Sequence, residues 1–357
     1  MKRLAVDPWI VLFYVLSGAL SLVVLTSISP DRVAQQLMMF VIGFFLLVYL
    51  SSQDSAVFKT FAPLGYLLSV LALVMTMVLG SSIRGSTRWI PIGTFQLQPG
   101  EFVKPLLVLA FAYFLKTYPP KNLKNILINS IIFIIPAFLI FKQPDLGTTL
   151  VIASIWVAQM FIAGFSYYLI ALFAVLAGIF AESLPKILHG YQLKRLETFI
   201  DPFSDPLGAG YNVIQSIVAV GSGGILGKGL GRGTQSHLRF LPERHTDFIF
   251  ASLAEELGVI GSFLVIFCLG GLLYRLLFLA THTRSQSSRL IYIGIFSYLA
   301  FQTFVNVGMN IGIAPVTGVT LPLISYGGSS ILATAITLGV ASSLARADKN
   351  HSLIEIR

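Results

Sequence analysis

The chain has 357 residues, of which 55% are hydrophobic and 11% are charged, and its formal net charge is +9. A soluble domain carries roughly a quarter charged residues, so this composition excludes a soluble globular protein and predicts an integral membrane protein. The basic residues are scattered over short segments between apolar runs, which argues against a nucleic-acid partner and favours anionic lipid headgroups or a phosphorylated lipid substrate.

Apolar runs of about 20 residues, the length that a helix needs to cross a bilayer, recur along the whole chain. The predicted fold is therefore an all-α polytopic membrane protein, with about ten transmembrane helices. It is expected to form a single membrane domain over residues 1–357. The spans are expected at about 9–28, 33–51, 61–80, 101–117, 126–141, 147–164, 166–184, 248–274, 289–309 and 325–345.

Lysine and arginine in the short loops are concentrated on one side of this predicted bundle, the side that holds both chain ends. The positive-inside rule therefore predicts cytoplasmic termini. The segments 81–100, 142–147, 185–247 and 310–324 then lie outside, and the longest of them, 185–247, joins spans seven and eight. Since the polar motifs fall in these segments, substrate chemistry is expected at the outer face.

The most informative stretch begins with polar residues and continues into an apolar, helix-compatible run over 248–273. Asp247 is expected at the mouth of this helix, on a face of small residues that includes Ala251, Ala254 and Gly258. A carboxylate at the membrane edge is costly to keep charged, which favours a functional role. The alternative is an aspartate that only complements the helix macrodipole.

A second charged motif opens the fourth span. Glu101 and Lys104 stand three residues apart, so they share a helix face and can pair, either as functional groups or as a structural clamp. Just upstream, Arg88 and Trp89 supply a cation and an interfacial aromatic ring, for which anchoring to lipid headgroups is the alternative. Asp145 lies between spans five and six, and capping of the following helix is an equal alternative to a functional role.

The outer loops contain two further features. The stretch 210–220 is predicted to form a helix in the membrane interface, and the glycine-rich run 221–233 carries Lys228 and Arg232. That run is either a binding site for a diphosphate or a flexible loop, and the sequence leaves both open. The stretch 306–330 is rich in glycine and proline, which predicts irregular backbone around a cavity, with the hydroxyls of Ser325 and Tyr326 facing it.

Four motifs together carry a family resemblance. They are Gln98-Pro-x-Glu-Phe-x-Lys104, Gln143-Pro-Asp-Leu-Gly147, Leu241-Pro-Glu-Arg-His-Thr-Asp-Phe248 and Pro315-Val-Thr-Gly-x-x-Leu-Pro-x-x-Ser-Tyr-Gly-Gly328. In this order, and with this pattern of spans, the chain resembles the SEDS (shape, elongation, division and sporulation) family of bacterial cell-wall polymerases over essentially its whole length. Arg244 within Pro-Glu-Arg-His resembles the elongation branch, whereas Pro105 departs from the pattern.

The resemblance implies a peptidoglycan glycosyltransferase of the bacterial cytoplasmic (inner) membrane. It would polymerise lipid II onto a nascent glycan strand at the outer leaflet and release undecaprenyl diphosphate. Asp247 would be the general base, and Glu101 would hold Lys104, which with Arg88, Arg239 or Arg244 would face the diphosphate. The other implied substrate-binding residues are Trp89, Asp145, His245, Ser325 and Tyr326.

The resemblance also implies partners: a class B penicillin-binding protein that acts as transpeptidase, and other membrane proteins of an elongation complex. No cofactor is required by the motifs, and a divalent cation (Mg²⁺ or Mn²⁺) is left open. The competing interpretations are a division-branch polymerase, a scaffold, and a flippase or transporter for lipid II. A transporter would carry its polar groups at mid-membrane, whereas here only Glu255 and Glu256 are expected away from the outer edge.

Overall fold

In a computed structural model the chain forms a bundle of long helices. The structure describes residues 6–83, 86–92, 95–165, 190–208, 210–238 and 240–354. The long helices are α1 (Pro8–Ile28), α2 (Val33–Ser52), α4 (Ala62–Leu79), α5 (Pro99–Thr117), α6 (Leu123–Lys142), α7 (Leu146–Ile162), α11 (Ile249–His282), α12 (Gln286–Asn310) and α13 (Gly328–Ile354). Between them lie four shorter ones: α3 (Ser55–Thr60), α8 (Gly190–Ile200), α9 (Tyr211–Ser222) and α10 (Thr234–His237).

The predicted spans that fall on described residues all coincide with a long helix. Within the described chain, 7 helices are long and apolar enough to cross a membrane, and α7 is a shorter apolar helix. The remaining predicted span, 101–117, coincides with α5, which carries the charged residues Glu101, Lys104 and Lys116. The predicted seventh span, 166–184, lies outside the described residues. The prediction of an all-α, multi-pass membrane fold is confirmed.

Local sequence explains where several helices begin. Asp7 caps α1, because its Oδ1 accepts from the amides of Trp9 and Ile10, and Pro8 follows it. Asp145 caps α7 by accepting from the amide and hydroxyl of Thr148, both at 3.0 Å. The capping alternative for Asp145 is thus observed, and it does not prevent a second role.

The long helices run up and down the bundle. Ile28, Leu79, Lys142 and Asn310 end their helices at the end of the bundle that carries the cavity described below, and we call this the cavity end. The opposite end, which holds the last described residues of both termini, is called the terminal end. There Arg275 binds Asp7 at 2.5 Å, and the guanidinium of Arg346 donates to the carbonyl of Ser52.

The core lies around α13. Of the 18 most apolar consecutive residues in α13, 78% are buried, whereas the corresponding share in α6 is 22%. α13 is therefore central and α6 peripheral. α13 packs along α2, and α5, α7 and α12 complete the centre. Fully buried side chains from these helices include Leu47, Leu107, Ile155, Tyr298 and Leu338.

The segment after α4 is not the plain loop that the sequence predicted. It forms three antiparallel strands in the order β1 (Ser81–Ile83), β2 (Ser86–Ile92) and β3 (Phe95–Leu97). Strands of 3 residues are too short for an alternating hydrophobic pattern to reveal them. The sheet matters for the site because β2 carries Arg88 and Trp89.

The predicted position of Asp247 on a helix face is wrong. α11 begins at Ile249, two residues after Asp247, and the helix is interrupted at Gly258, where φ is 67° and ψ is −159°. The reason is that the backbone around Asp247 is bonded elsewhere: the amide of Phe248 donates to the carbonyl of Glu243. Asp247 therefore lies in a turn, where it does not share a face with Ala251 or Ala254.

Candidate active site

The cavity end contains an open cavity of about 630 Å³. This is the size range of pockets that bind small organic ligands. Its walls come from the chain between α1 and α2, from β2 and β3, from the turn before α11, and from the segment between α12 and α13. The lining residues are Asp31, Arg32, Gln35, Arg88, Trp89, Gln96, Gln98, Glu243, His245, Thr246, Asp247, Gly318, Thr320, Tyr326, Gly327, Gly328, Ser329 and Ser330.

Asp247 is held at the cavity by its own backbone. Its carbonyl accepts hydrogen bonds from the side-chain amides of Asn306 and Asn310, each at 3.1 Å. Both asparagines are fully buried on α12. The carbonyl of the preceding residue, Thr246, accepts from the Ser325 hydroxyl at 2.7 Å. These bonds from two other segments leave the turn little freedom, as a positioned catalytic group requires.

Arg88, on β2, forms another part of the cavity wall. Its Nη1 lies 3.4 Å from Oδ2 of Asp145, whose side chain is almost completely buried. The buried carboxylate of Asp145, which does not line the cavity, therefore holds the guanidinium of a residue that does. The sequence placed the two residues in separate loops, and the structure brings them together.

Gly318 lies between Asp247 and Arg88. A Cβ built on this glycine would be 3.7 Å from Oδ2 of Asp247 and 3.9 Å from Nη2 of Arg88. The φ of Gly318 is +75°, a backbone conformation that favours glycine. A methyl group at residue 318 would thus touch both the carboxylate and the guanidinium at ordinary van der Waals distances.

A second cationic group occupies another wall. Arg32 contacts Nε2 of His245 and stacks over the ring of Tyr326, 5.0 Å from its centroid. The Tyr326 hydroxyl donates to Oε1 of Gln35 at 2.6 Å. Burial, and to a smaller extent the charge of Arg32, lowers the pKa of His245 to about 4. His245 is therefore neutral near pH 7, so its Nε2 can accept from the arginine.

Glu101 and Lys104 pair as predicted but do not line the cavity. Their Oε2 and Nζ atoms are 2.7 Å apart, and both side chains are at most 5% exposed. The two atoms are in ionic contact without the angles of a good hydrogen bond, and Nζ also lies 4.9 Å from the Tyr298 ring centroid. A buried pair is costly to break, since the remaining charge loses its counter-ion.

The other predicted site residues lie behind the cavity wall or outside the described chain. Nε of Arg244 donates to the carbonyl of Ile28, at the end of α1. The Ser325 hydroxyl, besides its bond to Thr246, accepts from the amide of Leu321. Arg239 lies outside the described residues. Of the predicted set, the structure thus brings together Asp247, Arg88, Trp89, His245 and Tyr326 around one space, with Asp145 behind Arg88.

Sequence reasoning missed Arg32 as a site residue. A signal was available, because Arg32 is the only cation in the short predicted outer loop between the first two spans. The glycine-rich run is not the flexible loop that was one interpretation of it, and its lysine is paired. Nζ of Lys228 lies 2.9 Å from Glu255, and the run is bonded to α11.

No three His, Cys, Asp or Glu side chains converge as a metal site in the part of the chain that the structure describes.

Comparisons with known proteins agree with these features. A family model for FtsW, RodA and SpoVE, described as "Cell cycle protein", matches residues 7–350. The peptidoglycan glycosyltransferase MrdB of Escherichia coli K12 is 37% identical over 347 residues, which cover 96% of this chain and 94% of the relative. The Rod shape determining protein RodA of Thermus thermophilus has a similar crystal structure, with a TM-score of 0.74 and 30% identity over 98% of this chain and 99% of that one.

A further solved structure is that of a peptidoglycan synthase complex, and it concerns the structural coordination of polymerization and crosslinking. One of its chains is similar to this one with a TM-score of 0.84 and 34% identity, over 97% of this chain and 99% of that chain.

Proposed function

The chain belongs to the FtsW, RodA and SpoVE family, and from this premise we propose that its cavity polymerises lipid II into glycan strands at the outer leaflet of the bacterial inner membrane. The protein is a peptidoglycan glycosyltransferase and a multi-pass membrane protein. Its role in cell shape is supported by its similarity to MrdB and to a Rod shape determining protein, so the division-branch alternative is less supported.

The observation that carries the mechanism is that the side chains of Asp247 and Arg88 both lie within 4 Å of the position that a Cβ at Gly318 would take. We assign Asp247 as the base that takes the proton from a sugar hydroxyl of the incoming lipid II. The oxygen then attacks the anomeric carbon at the end of the growing strand. The bond from that carbon to the diphosphate breaks, and its electron pair leaves with undecaprenyl diphosphate.

The departing diphosphate gains negative charge, and cations that are fixed before the reaction stabilise it most effectively. Among the described residues, the arginines that line the cavity are Arg88 and Arg32, and each is held by a neighbour, Asp145 or His245. We therefore assign the diphosphate contacts to these two arginines. Lys104 supports the same site from behind the wall, with Glu101 as its counter-ion.

The proposed topology places the cavity end outside and both termini in the cytoplasm. Its support is the positive-inside rule, because the terminal end carries Lys59, Lys116, Lys121, Lys124 and Arg346 in short loops or helix ends. In this orientation both lipid-linked substrates reach the cavity from the outer leaflet.

A class B penicillin-binding protein is the proposed partner, since a similar chain takes part in a complex that coordinates polymerization with crosslinking. We extend this proposal to other membrane proteins of the elongation complex.

The flippase alternative needs polar groups that could carry lipid II through the membrane centre. Its best candidates were Glu255 and Glu256, and both carboxylates are engaged by the outer segment between α9 and α11. This observation favours the polymerase.

Purified protein given lipid II in detergent tests the choice, because detergent leaves no leaflet to cross. A polymerase produces glycan that is visible on a gel. A flippase forms none, even with the penicillin-binding protein present, but moves labelled lipid II between the leaflets of vesicles.

A further inference from the structure

The longest helix, α11, is broken at Gly258, and an outer segment fills the break. We call residues 223–237 the clamp. Backbone hydrogen bonds join it to α11 on both sides of Gly258: Val259 N to Gly224 O at 3.0 Å, Ile260 N to Ile225 O at 3.3 Å, Lys228 N to Glu255 O at 3.0 Å and Gly229 N to Glu256 O at 3.0 Å. The polar groups that the interrupted helix would leave unpaired are thus satisfied by the clamp.

The clamp approaches α11 too closely for side chains. A Cβ on Gly227 would overlap the carbonyl of Glu256, and one on Gly258 would overlap the backbone of Gly227. The glycines of the sequence motif therefore serve contact between two backbones. Such contact leaves the clamp little room to shift along the helix.

Glu255 makes the side-chain connection to the clamp. Its carboxylate is fully buried, and both oxygens accept hydrogen bonds. Oε1 accepts from Nζ of Lys228 at 2.9 Å, from Oγ1 of Thr234 at 3.1 Å and from the amide of Gln235 at 3.0 Å. Oε2 accepts from the amide and the hydroxyl of Ser236, at 3.2 and 3.0 Å.

Glu256 is bonded through one oxygen. Its Oε1 contacts the Ser27 hydroxyl at 2.6 Å, Nε2 of His237 at 2.8 Å and the amide of Gly231 at 3.3 Å. Oε2 has no hydrogen-bond partner among the described residues. Glu256 therefore ties the clamp to the end of α1, and a neutral side chain of the same shape could make the same three bonds.

Glu255 also closes a section of chain that contains Asp247. Its bond to Thr234 joins two residues that are 21 positions apart, and the turn with Asp247 lies between them. On its other side the turn is held by Asn306 and Asn310 of α12. Loss of the Glu255 carboxylate contacts would release residues 234–236 from α11, while the backbone bonds of residues 224–229 and the bonds to α12 remained.

We propose that Glu255 is a positioning residue for polymerisation: by binding the clamp to the first part of α11, it fixes the turn that carries the carboxylate of Asp247. The proposal rests on the function assigned above in one respect, the role of Asp247 as base. Misplacement of a reacting group by about 1 Å costs on the order of 100-fold in rate, so a distant anchor can control kcat.

The pair of adjacent glutamates provides a matched test. Glu255→Gln replaces one accepting oxygen by an NH₂ group, which would face hydrogen-bond donors on either side. Glu256→Gln can keep its oxygen on Ser27, His237 and Gly231 and place the NH₂ where no partner is lost. We expect Glu255→Gln to lower kcat about 10- to 100-fold with KM changed less than about threefold, and Glu256→Gln to stay within about twofold of wild type.

A double variant separates positioning from a purely structural role. In an Asp247→Glu background the base is already displaced. The factor by which Glu255→Gln lowers kcat should there be less than a third of the factor in the wild type, because the two changes act on one group. A full, multiplicative loss in that background, or equal effects of the two glutamine variants, would overturn the proposal. Loss of folded protein is monitored by thermal melting. Normal activity of Asp247→Asn would instead refute the proposed base, a result that is distinct from either outcome.

Discussion

The carboxylate of Asp247 lies next to Gly318, and its Oδ2 is 3.7 Å from the position that an alanine Cβ would take at residue 318. This relationship joins the turn before α11 to the irregular segment between α12 and α13. Because the same position is 3.9 Å from Nη2 of Arg88, a methyl group there would occupy the space in which base and cation meet.

Gly318→Ala is therefore expected to reduce polymerisation about 100-fold, while its positive φ adds a folding cost of about 1–2 kcal/mol. The measurement is glycan formation by purified variants of matched melting temperature. Gly270→Ala is the control, because a Cβ at Gly270 meets nothing within 4 Å. Wild-type activity of Gly318→Ala would show that the space over residue 318 is not used by the reaction.

The side-chain amides of Asn306 and Asn310 hold the carbonyl of Asp247, and the loss of one of these bonds should lower kcat. Asn310→Asp keeps the size of the side chain but removes the donor to the Asp247 carbonyl, so kcat should fall about tenfold or more. Asn129→Asp is the matched control, since Asn129 is also buried and also donates two bonds to carbonyls, but at the terminal end. Both variants should lose stability, about 1–3 kcal/mol each. Equal kcat in the two would contradict the positioning of Asp247 by α12.

Much of this molecule could be predicted from its sequence, because a bilayer demands long apolar helices and the motifs lie between them. Asp247, Arg88 and Tyr326 were found as polar residues next to apolar runs. The break at Gly258 could not be predicted, since a helix can contain glycine, and the break depends on backbone bonds from a clamp that is distant in sequence.

The same limit applies to contacts within the site. No spacing indicates that Arg88 lies against Asp145, or that Arg32 contacts His245, because these pairs form only when separate loops meet at one end of the bundle. Glu101 and Lys104 show the converse case. Their pairing follows from helix geometry, but their depth behind the wall depends on how α5 packs against α12.

Glu101 and Lys104 are predicted to act as a unit. Each single alanine variant leaves one buried charge without its counter-ion, a loss of about 3–5 kcal/mol, and should be severely impaired. The double alanine variant should be little worse than either single one, in both melting temperature and kcat/KM. Independent losses that multiply in the double variant would count against the coupled pair.

The pH response of the cavity should depend on His245. Its pKa is lowered to about 4, below the usual value of 6.5, so the fold favours the neutral imidazole. The folded state binds fewer protons than the unfolded state between these values, and the contribution of His245 to stability is therefore present above about pH 6.5 and lost as the pH falls toward 4. Melting temperatures from pH 7.5 to 4 should fall more steeply for wild type than for His245→Gln. Parallel plots of melting temperature against pH for the two proteins would mean that protonation of His245 does not affect stability.

The central claim is that the carboxylate of Asp247 is the base for glycosyl transfer, and Asp247→Asn tests it most directly, since the amide keeps the shape and removes the basic group. The measurement is the amount of glycan that the purified, folded variant forms from lipid II in detergent, beside wild-type protein in the same assay. No detectable polymer is expected from the variant, and polymer is expected from wild type. Wild-type amounts of glycan from a variant with an unchanged melting temperature would contradict it.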